Sequence, residues 1–241
     1  MSRITVEEIN RNVANSIITK HHYSHTICFG TKVSLGLYMD GMLVGIAQFG
    51  LGINPKGTAK WVEGSTSSDY LEFNRMWMSD MAPHNSESQA IGQIFKWFRQ
   101  NRPEIKWLIS FADGANNKVG TIYQATNWIY TGYSRDGGVW VTKENERITK
   151  VSMQSRHPSN KREVLEEIYG TPLYRVRGGQ FRYIYFLDKK WRSRLSAEPL
   201  EYPKLADLRH YLIISKQHRV KEDLFDEYIK LISQKVETVQ K

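Results

Sequence analysis

Cysteine is nearly absent: Cys28 stands alone in 241 residues, so the chain can close no internal disulfide and build no cysteine-rich zinc site. A reducing, intracellular setting is the simplest expectation. Long apolar runs are absent too. Nothing approaches the roughly 18 consecutive apolar residues that cross a bilayer, and the opening MSRITVEEINRN is too polar for a secretory signal, so no membrane partner is expected. The sequence shows no internal repeat and no low-complexity tract.

What is present argues for a folded enzyme-sized unit. A hydrophobic content of 40% with 12% aromatics excludes global disorder, and the length suits one large domain or one domain with an appendage. The net charge of +9 is uneven. Up to residue 130 there are 12 lysines and arginines against 10 acids, and from 131 onward 22 against 15. Within TPLYRVRGGQFRYIYFLDKKWRSR (171–194), Arg175, Arg177, Arg182, Lys189, Lys190, Arg192 and Arg194 face one acid, Asp188. Aromatics interleave with them, a combination suited to phosphate contact and base stacking, which makes DNA the leading partner. A solvated strand face in a basic protein accounts for the charge equally well.

The hydrophobic pattern alternates between helix and strand. Val6, Ile9, Val13 and Ile17 predict an amphipathic helix over 6–20, and VSLGLYMDGMLVGIAQFG (33–50) predicts a hairpin turning at Asp40-Gly41. A half-buried strand follows in 69–80. Next comes a helix capped near Asn85-Ser86, with Ile91, Ile94, Phe95 and Phe98 on one face and Pro103 after its end. IKWLISFAD (105–113) reads as a strand buried on both faces, and KVGTIYQATNWIYTGYS as a short helix, a turn at Asn127 and a strand. Beyond Gly137-Gly138 the pattern weakens to a short helix near 160–169 and a strand pair turning at Gly178-Gly179. Residues 205–241 look like a helical appendage. The order predicts an α/β fold, a mixed central sheet covered by helices, with a basic C-terminal extension.

The stretch ITKHHYSHTICFG (18–30) puts His21, His22 and His25 within five positions, with Tyr23 among them. Two histidines with a carboxylate form a known iron-binding pattern, but this spacing serves a metal, a proton-accepting base or plain packing equally well. Asp113, at the end of its strand, is a carboxylate placed to accept a proton or bind a metal. Glu72 and Arg75 on the preceding strand face either a cleft or solvent. Tyr38 on the hairpin presents either a substrate-facing hydroxyl or sheet packing.

Six motifs in order carry a family resemblance: HHYSH (21–25), LGLYMDGMLVGIAQFG (35–50), LEFNRMWMSD (71–80), PHNSESQAIG (83–92), FADGANNKVGTIYQATNWIYTG (111–132) and LEYPK (200–204). Across about residues 13–204 the chain resembles the bacteriophage Mom family of DNA-modification proteins. That resemblance implies a GNAT-like (acetyltransferase-like) fold over 1–204. The activity it implies is transfer of a small amide-bearing group, methylcarbamoyl or acetamido, to the exocyclic amine of adenine in DNA. Phage DNA would thereby be protected from restriction in the cytoplasm of the bacterial host. It further implies catalytic roles for His22, Tyr23, Asp113 and Tyr123 and the involvement of iron, for which His22 and Asp113 are the candidate ligands; Tyr38 joins the catalytic candidates from its place on the hairpin. Acetyl-CoA is implied at Asn85, Ser86, Ser88 and Gln89, where a helix N-terminus would receive its pyrophosphate. This turn is not glycine-rich as the usual acetyltransferase loop is. An N-acetyltransferase acting on a protein or small amine, and a non-catalytic DNA-binding module, are the rival readings. The oligomeric state stays open, a homodimer included.

Overall fold

The computed structural model describes residues 4–114, 118–134, 138–142, 147–149, 161–178, 180–208 and 212–214. Two compact units emerge. The first gathers residues 1–111, 121–131 and 183–200, and the second gathers 112–120, 132–182 and 201–241.

The first unit is built on strands β1 (Ile4–Glu8), β2 (Thr31–Met39), β3 (Met42–Gly50), β4 (Tyr70–Met78) and β5 (Trp107–Asp113), joined by helices α1 (Arg11–His21), α2 (Pro55–Ala59), α3 (Ser86–Asn101) and α4 (Thr121–Ala125). With β6 (Ile129–Ser134) and β10 (Gln180–Phe186) they form a seven-stranded sheet in the order β1-β2-β3-β4-β5-β10-β6. Neighbours β1 to β4 run antiparallel, while β4 and β5 are parallel and need α3 as their crossover. The β2–β3 turn is tight because Asp40 and Gly41 both adopt positive φ, +50° and +80°, as the hairpin signal requires. This mixed sheet with helices on both faces is the α/β arrangement, a mixed central sheet covered by helices, expected from the sequence.

Alternation along β3 explains how two helices share one sheet. Ile46 and Gln48 face α1, where Ala14 and Ile18 pack on Ile46 and Gln48 Nε2 donates to Asn15 Oδ1. Phe49, on the opposite face, meets Phe73 in a stack and Phe98 of α3 edge-on. A second cluster joins Tyr70, Trp107, Ile109, Ile184 and Phe186, with Trp191 and Leu195 packed against it. Each fully buried side chain of this size contributes about 1.5–3 kcal/mol.

The second unit contains β7 (Gly138–Thr142), β8 (Arg147–Thr149), α5 (Arg162–Tyr169), β9 (Leu173–Gly178) and β11 (Leu212–Ile214). Its four-stranded sheet runs β11-β9-β7-β8, and Trp140, Leu165 and Leu173 form its core.

Three sequence expectations change. The predicted helix over 6–20 starts only at Arg11, where Asn10 caps it. Val6 belongs to β1, Val13 is 49% exposed, and Ala14 and Ile18 supply the buried face. Residues 173–186 do form two strands, but β9 and β10 belong to different sheets and are not a hairpin. In the segment taken as helix-prone, β11 is a strand paired with β9, and the residues after 214 lie outside the described ones. No helix among the described residues is long and apolar enough to cross a membrane.

Candidate active site

Strands β4 and β5 pair only from Tyr70/Trp107 to Glu72/Ile109, although β4 continues to Met78. Beyond Glu72 the Phe73 carbonyl is met by a side chain, Ser110 Oγ, at 2.9 Å. Ser110 Oγ also lies 2.7 Å from the Tyr123 hydroxyl. A serine has one proton, and a carbonyl can only accept, so the chain of bonds runs from Tyr123 O–H to Ser110 Oγ and from Ser110 O–H to Phe73. Burial pushes the Tyr123 phenol up to about 12; the nearby charges of Tyr23, Glu72 and Glu87 add to this, and the Ser110 hydrogen bond offsets part of it. Tyr123 is therefore a protonated acid at neutral pH.

Glu72 occupies the point where the strands part. Its Oε1 accepts from Asn74 Nδ2 at 3.0 Å, and its Oε2 lies over Gly52, where a Cβ would come within 2.1 Å. Burial raises its carboxyl above the usual range, with Asn74 and Arg75 pulling the other way. Arg75 donates through Nε to Thr26 O at 3.1 Å and through Nη1 to Asn74 O at 2.8 Å, so it ties the histidine loop to β4. Cys28, on that loop, has its thiol raised by burial, with Arg75 lowering it and Glu72 raising it further. Cys28 is absent from the sequence-derived site, whereas Glu72, open there between cleft and solvent, is half-buried as the one carboxylate within the otherwise apolar YLEF run.

The three histidines separate. His21 stacks on Trp77 with centroids 4.8 Å apart. His22 caps α1, is 5% exposed, and has Nδ1 2.8 Å from Ser24 Oγ and 3.1 Å from Ser24 N. His25, at φ +47°, holds Nδ1 against Thr19 O. Tyr23 is 56% exposed and its ring lies 4.2 Å from that of His22. Tyr38 stands beside the hairpin turn, its ring over Gly36. Asp113 falls in the second unit, its carbonyl accepting from Lys118 N.

Iron does not fit the side chains as arranged. The Ser24 N–H can only donate, so His22 Nδ1 must accept, which leaves the neutral ring its proton on Nε2 where a metal would need a lone pair. Among the described residues no group of three or more histidine, cysteine or acidic side chains is placed to hold a metal.

Coenzyme A finds a partial fit at α3. Asn85 stands at the N-cap in the left-handed region, φ +67°, and its side chain makes no capping bond, so the helix start is not sealed by its own residue. Ser86 is buried, Ser88 Oγ donates to Asn85 O, and Gln89 is exposed with its N–H on Asn85 O. Glu87 brings a negative charge to this turn and opposes an anion there.

The basic segment divides. Phe181, Tyr183 and Phe186 are core residues, so their rings are spent on packing and do not stack on bases. Arg182 is half-buried, whereas Lys189, Lys190, Arg192 and Arg194 ride an exposed 3-10 turn (Lys189–Arg194) with Arg194 over the Trp191 ring at 4.4 Å. The side chains of Arg175 and Arg177 lie outside the described residues.

These features define an α/β protein with a mixed seven-stranded sheet, a half-buried tyrosine whose hydroxyl bonds to Ser110 of β5, and a half-buried carboxylate where β4 and β5 part. The chain belongs to the Mom protein family, whose model matches residues 3–204. It is 31% identical over 204 residues to the methylcarbamoylase Mom of Escherichia phage Mu, covering 83% of this chain and 84% of that protein. Solved structures with weaker likeness include an aminoglycoside acetyltransferase AAC(6')-Ib with coenzyme A (9% identity, TM-score 0.40, 64% of this chain and 98% of that one). Another is a probable acetyltransferase of Staphylococcus epidermidis (11% identity, TM-score 0.41, 76% and 98%).

Proposed function

We propose that this protein is a DNA-modifying transferase that places a small amide-bearing group, methylcarbamoyl or acetamido, on the exocyclic amine of adenine. Such a mark would shield phage DNA from restriction in the host cytoplasm. The observation that carries the reading is the 31% identity to a methylcarbamoylase across most of both chains, together with a family match over residues 3–204 that takes in His22, Tyr23, Asp113 and Tyr123.

The adenine amine is a weak nucleophile because its lone pair is shared with the ring, so it must be oriented, kept from water and relieved of a proton. Tyr123, protonated at neutral pH, is the group suited to hand a proton to whatever departs from the carrier. Glu72 and Asp113 are the carboxylates available to accept the amine's proton. A base inside a duplex must be flipped out first, at a cost of a few kcal/mol. Acetyl-CoA is the carrier class this reading invokes; when bound it would supply an activated two-carbon acyl group, with Asn85, Ser88 and Gln89 at its phosphates, and the amide nitrogen of the product would come from a separate amine donor. The exposed Lys189, Lys190, Arg192 and Arg194 would contact DNA phosphates, with Arg175, Arg177 and Arg182 as further candidates.

The test is mass spectrometry of nucleosides from DNA of cells expressing the wild type, Tyr123→Phe or Asp113→Ala. A heavier deoxyadenosine in the wild type alone supports the reaction and both residues. Its absence from the wild type, with the protein present in soluble form, refutes the reading.

A further inference from the structure

The three histidines, so close in sequence, are held by three different devices, and only His22 is buried with both a backbone N–H and a hydroxyl aimed at one ring nitrogen. The Ser24 N–H, 3.1 Å away, fixes Nδ1 as an acceptor; the Ser24 hydroxyl, 2.8 Å away, shares that lone pair as a second donor. A proton on Nδ1 would point into the N–H. Metal ligation through Nε2, proton acceptance at Nε2 and the imidazolium form all conflict with this arrangement.

The serine is itself secured. Its carbonyl accepts from Thr26 Oγ1 at 2.6 Å, and the Thr26 carbonyl accepts from Arg75 Nε, so the ring orientation is anchored through two steps to β4. His22 has 5% of its surface exposed and its neighbour Tyr23 has 56%, with their rings 4.2 Å apart and tilted by 34°. Tyr23 is near enough to Tyr123 for its charge to raise that phenol. The buried ring is thus a backing for an exposed one whose charge also bears on the Tyr123 phenol.

We propose that Ser24 locks His22 as the Nε2–H tautomer and that His22 is a positioning residue, acting through Tyr23, which is the member of the pair that meets substrate. The geometry of the lock stands by itself; the catalytic part rests on the function proposed above.

The two parts are tested separately. In the full-length protein labelled with nitrogen-15 histidine, long-range proton–nitrogen spectra distinguish a protonated from an unprotonated ring nitrogen. The His22 pair should show unprotonated Nδ1 and protonated Nε2, unchanged when ferrous iron is added. A protonated Nδ1, or selective broadening of the His22 signals by iron, overturns the lock, whether or not the enzyme modifies DNA.

For the catalytic part, modification is followed on duplex DNA. Ser24→Ala should lower kcat roughly fivefold to tenfold with KM for DNA unchanged, and Ser24→Thr should restore it, because only the hydroxyl on Nδ1 is being changed. His22→Asn, whose side-chain oxygen still accepts from the Ser24 N–H, should lose about tenfold and keep the acidic limb of the pH–rate profile. Loss beyond a thousandfold in folded His22→Asn, disappearance of that limb, or wild-type kcat in Ser24→Ala overturns the positioning role. Absence of modification by the wild type contradicts the proposed function, and the positioning role with it, while the spectra still decide the lock.

Discussion

The Tyr123 hydroxyl donates to Ser110 Oγ across 2.7 Å while Ser110 gives its own proton to the Phe73 carbonyl, so a half-buried tyrosine is wired to the backbone of the strand that parts from β5. The tyrosine is thereby held where β4 and β5 cease to pair.

One consequence is a delayed phenol titration. Tyr123 should ionise at about 12 in the folded protein, above its ordinary 10. Because folding raises this value, the stability it contributes is complete below pH 10 and declines as pH rises toward 12. Absorbance at tyrosinate wavelengths, compared between the wild type and Tyr123→Phe, should show one phenol missing from the late part of the curve and none from the early part. Ser110→Ala should delay it further, since a phenolate there loses the hydroxyl that would turn to donate to it.

Glu72 gives the same sign of effect in an acidic window. Its carboxyl is raised by burial, so folding favours the protonated acid; the stability this supplies is full below the unfolded value near 4.5 and fades as pH rises through the folded one. Urea unfolding midpoints for the wild type should therefore fall above pH 4.5 relative to those of Glu72→Gln, which keeps the shape and cannot ionise. Parallel curves for the two proteins over pH 4–8 would remove Glu72 from the buried groups that control stability.

Two glycines face the same region with different consequences. A Cβ at Gly50 would lie 2.1 Å from the carbonyl oxygen of Gly30, a backbone atom that cannot swing aside. A Cβ at Gly52 would lie equally close to Glu72 Oε2, the far end of a flexible side chain. Gly50→Ala should cost about 3 kcal/mol by forcing the start of β2 from its partner. Gly52→Ala should cost little stability and instead displace the carboxylate, visible as loss of the Glu72-dependent pH effect in the same unfolding series.

Sequence pattern revealed the elements that local chemistry decides. The Asp40-Gly41 turn, the apolar face of α3 from Ile91 to Phe98 and the continuous run of β5 follow from turn preference, helical period and burial on both faces. The first helix was misjudged because Val6 and Val13 fit its period while strand pairing claims Val6 and the sheet receives Ala14 and Ile18. The pairing of 173–186 was not legible because two adjacent strands with a glycine turn carry no mark saying that each joins a different sheet. Within the site, residue types were readable and states were not. Nothing in HHYSH says that Ser24 turns Nδ1 into an acceptor, and nothing in LEFN says that Glu72 is half-buried where the strands part.

Arg192 and Arg194 separate two uses of a basic side chain. Both lie exposed on the 3-10 turn, but the Arg194 guanidinium also covers the Trp191 ring, a contact that belongs to the fold. Each phosphate neutralised by a protein cation adds about 0.9 to the slope of log binding constant against log salt on duplex DNA. If this turn contacts DNA, Arg192→Ala should flatten the slope by about one unit and leave the melting temperature within a degree or so. Arg194→Ala should flatten it similarly and also lower thermal stability, since Trp191 loses its cover. Fluorescence anisotropy on a duplex of fixed length between 50 and 200 mM salt supplies the slopes, and calorimetry supplies the melting temperatures. Slopes equal to the wild type in both variants would move the DNA contact away from residues 189–194 and toward Arg175, Arg177 and Arg182.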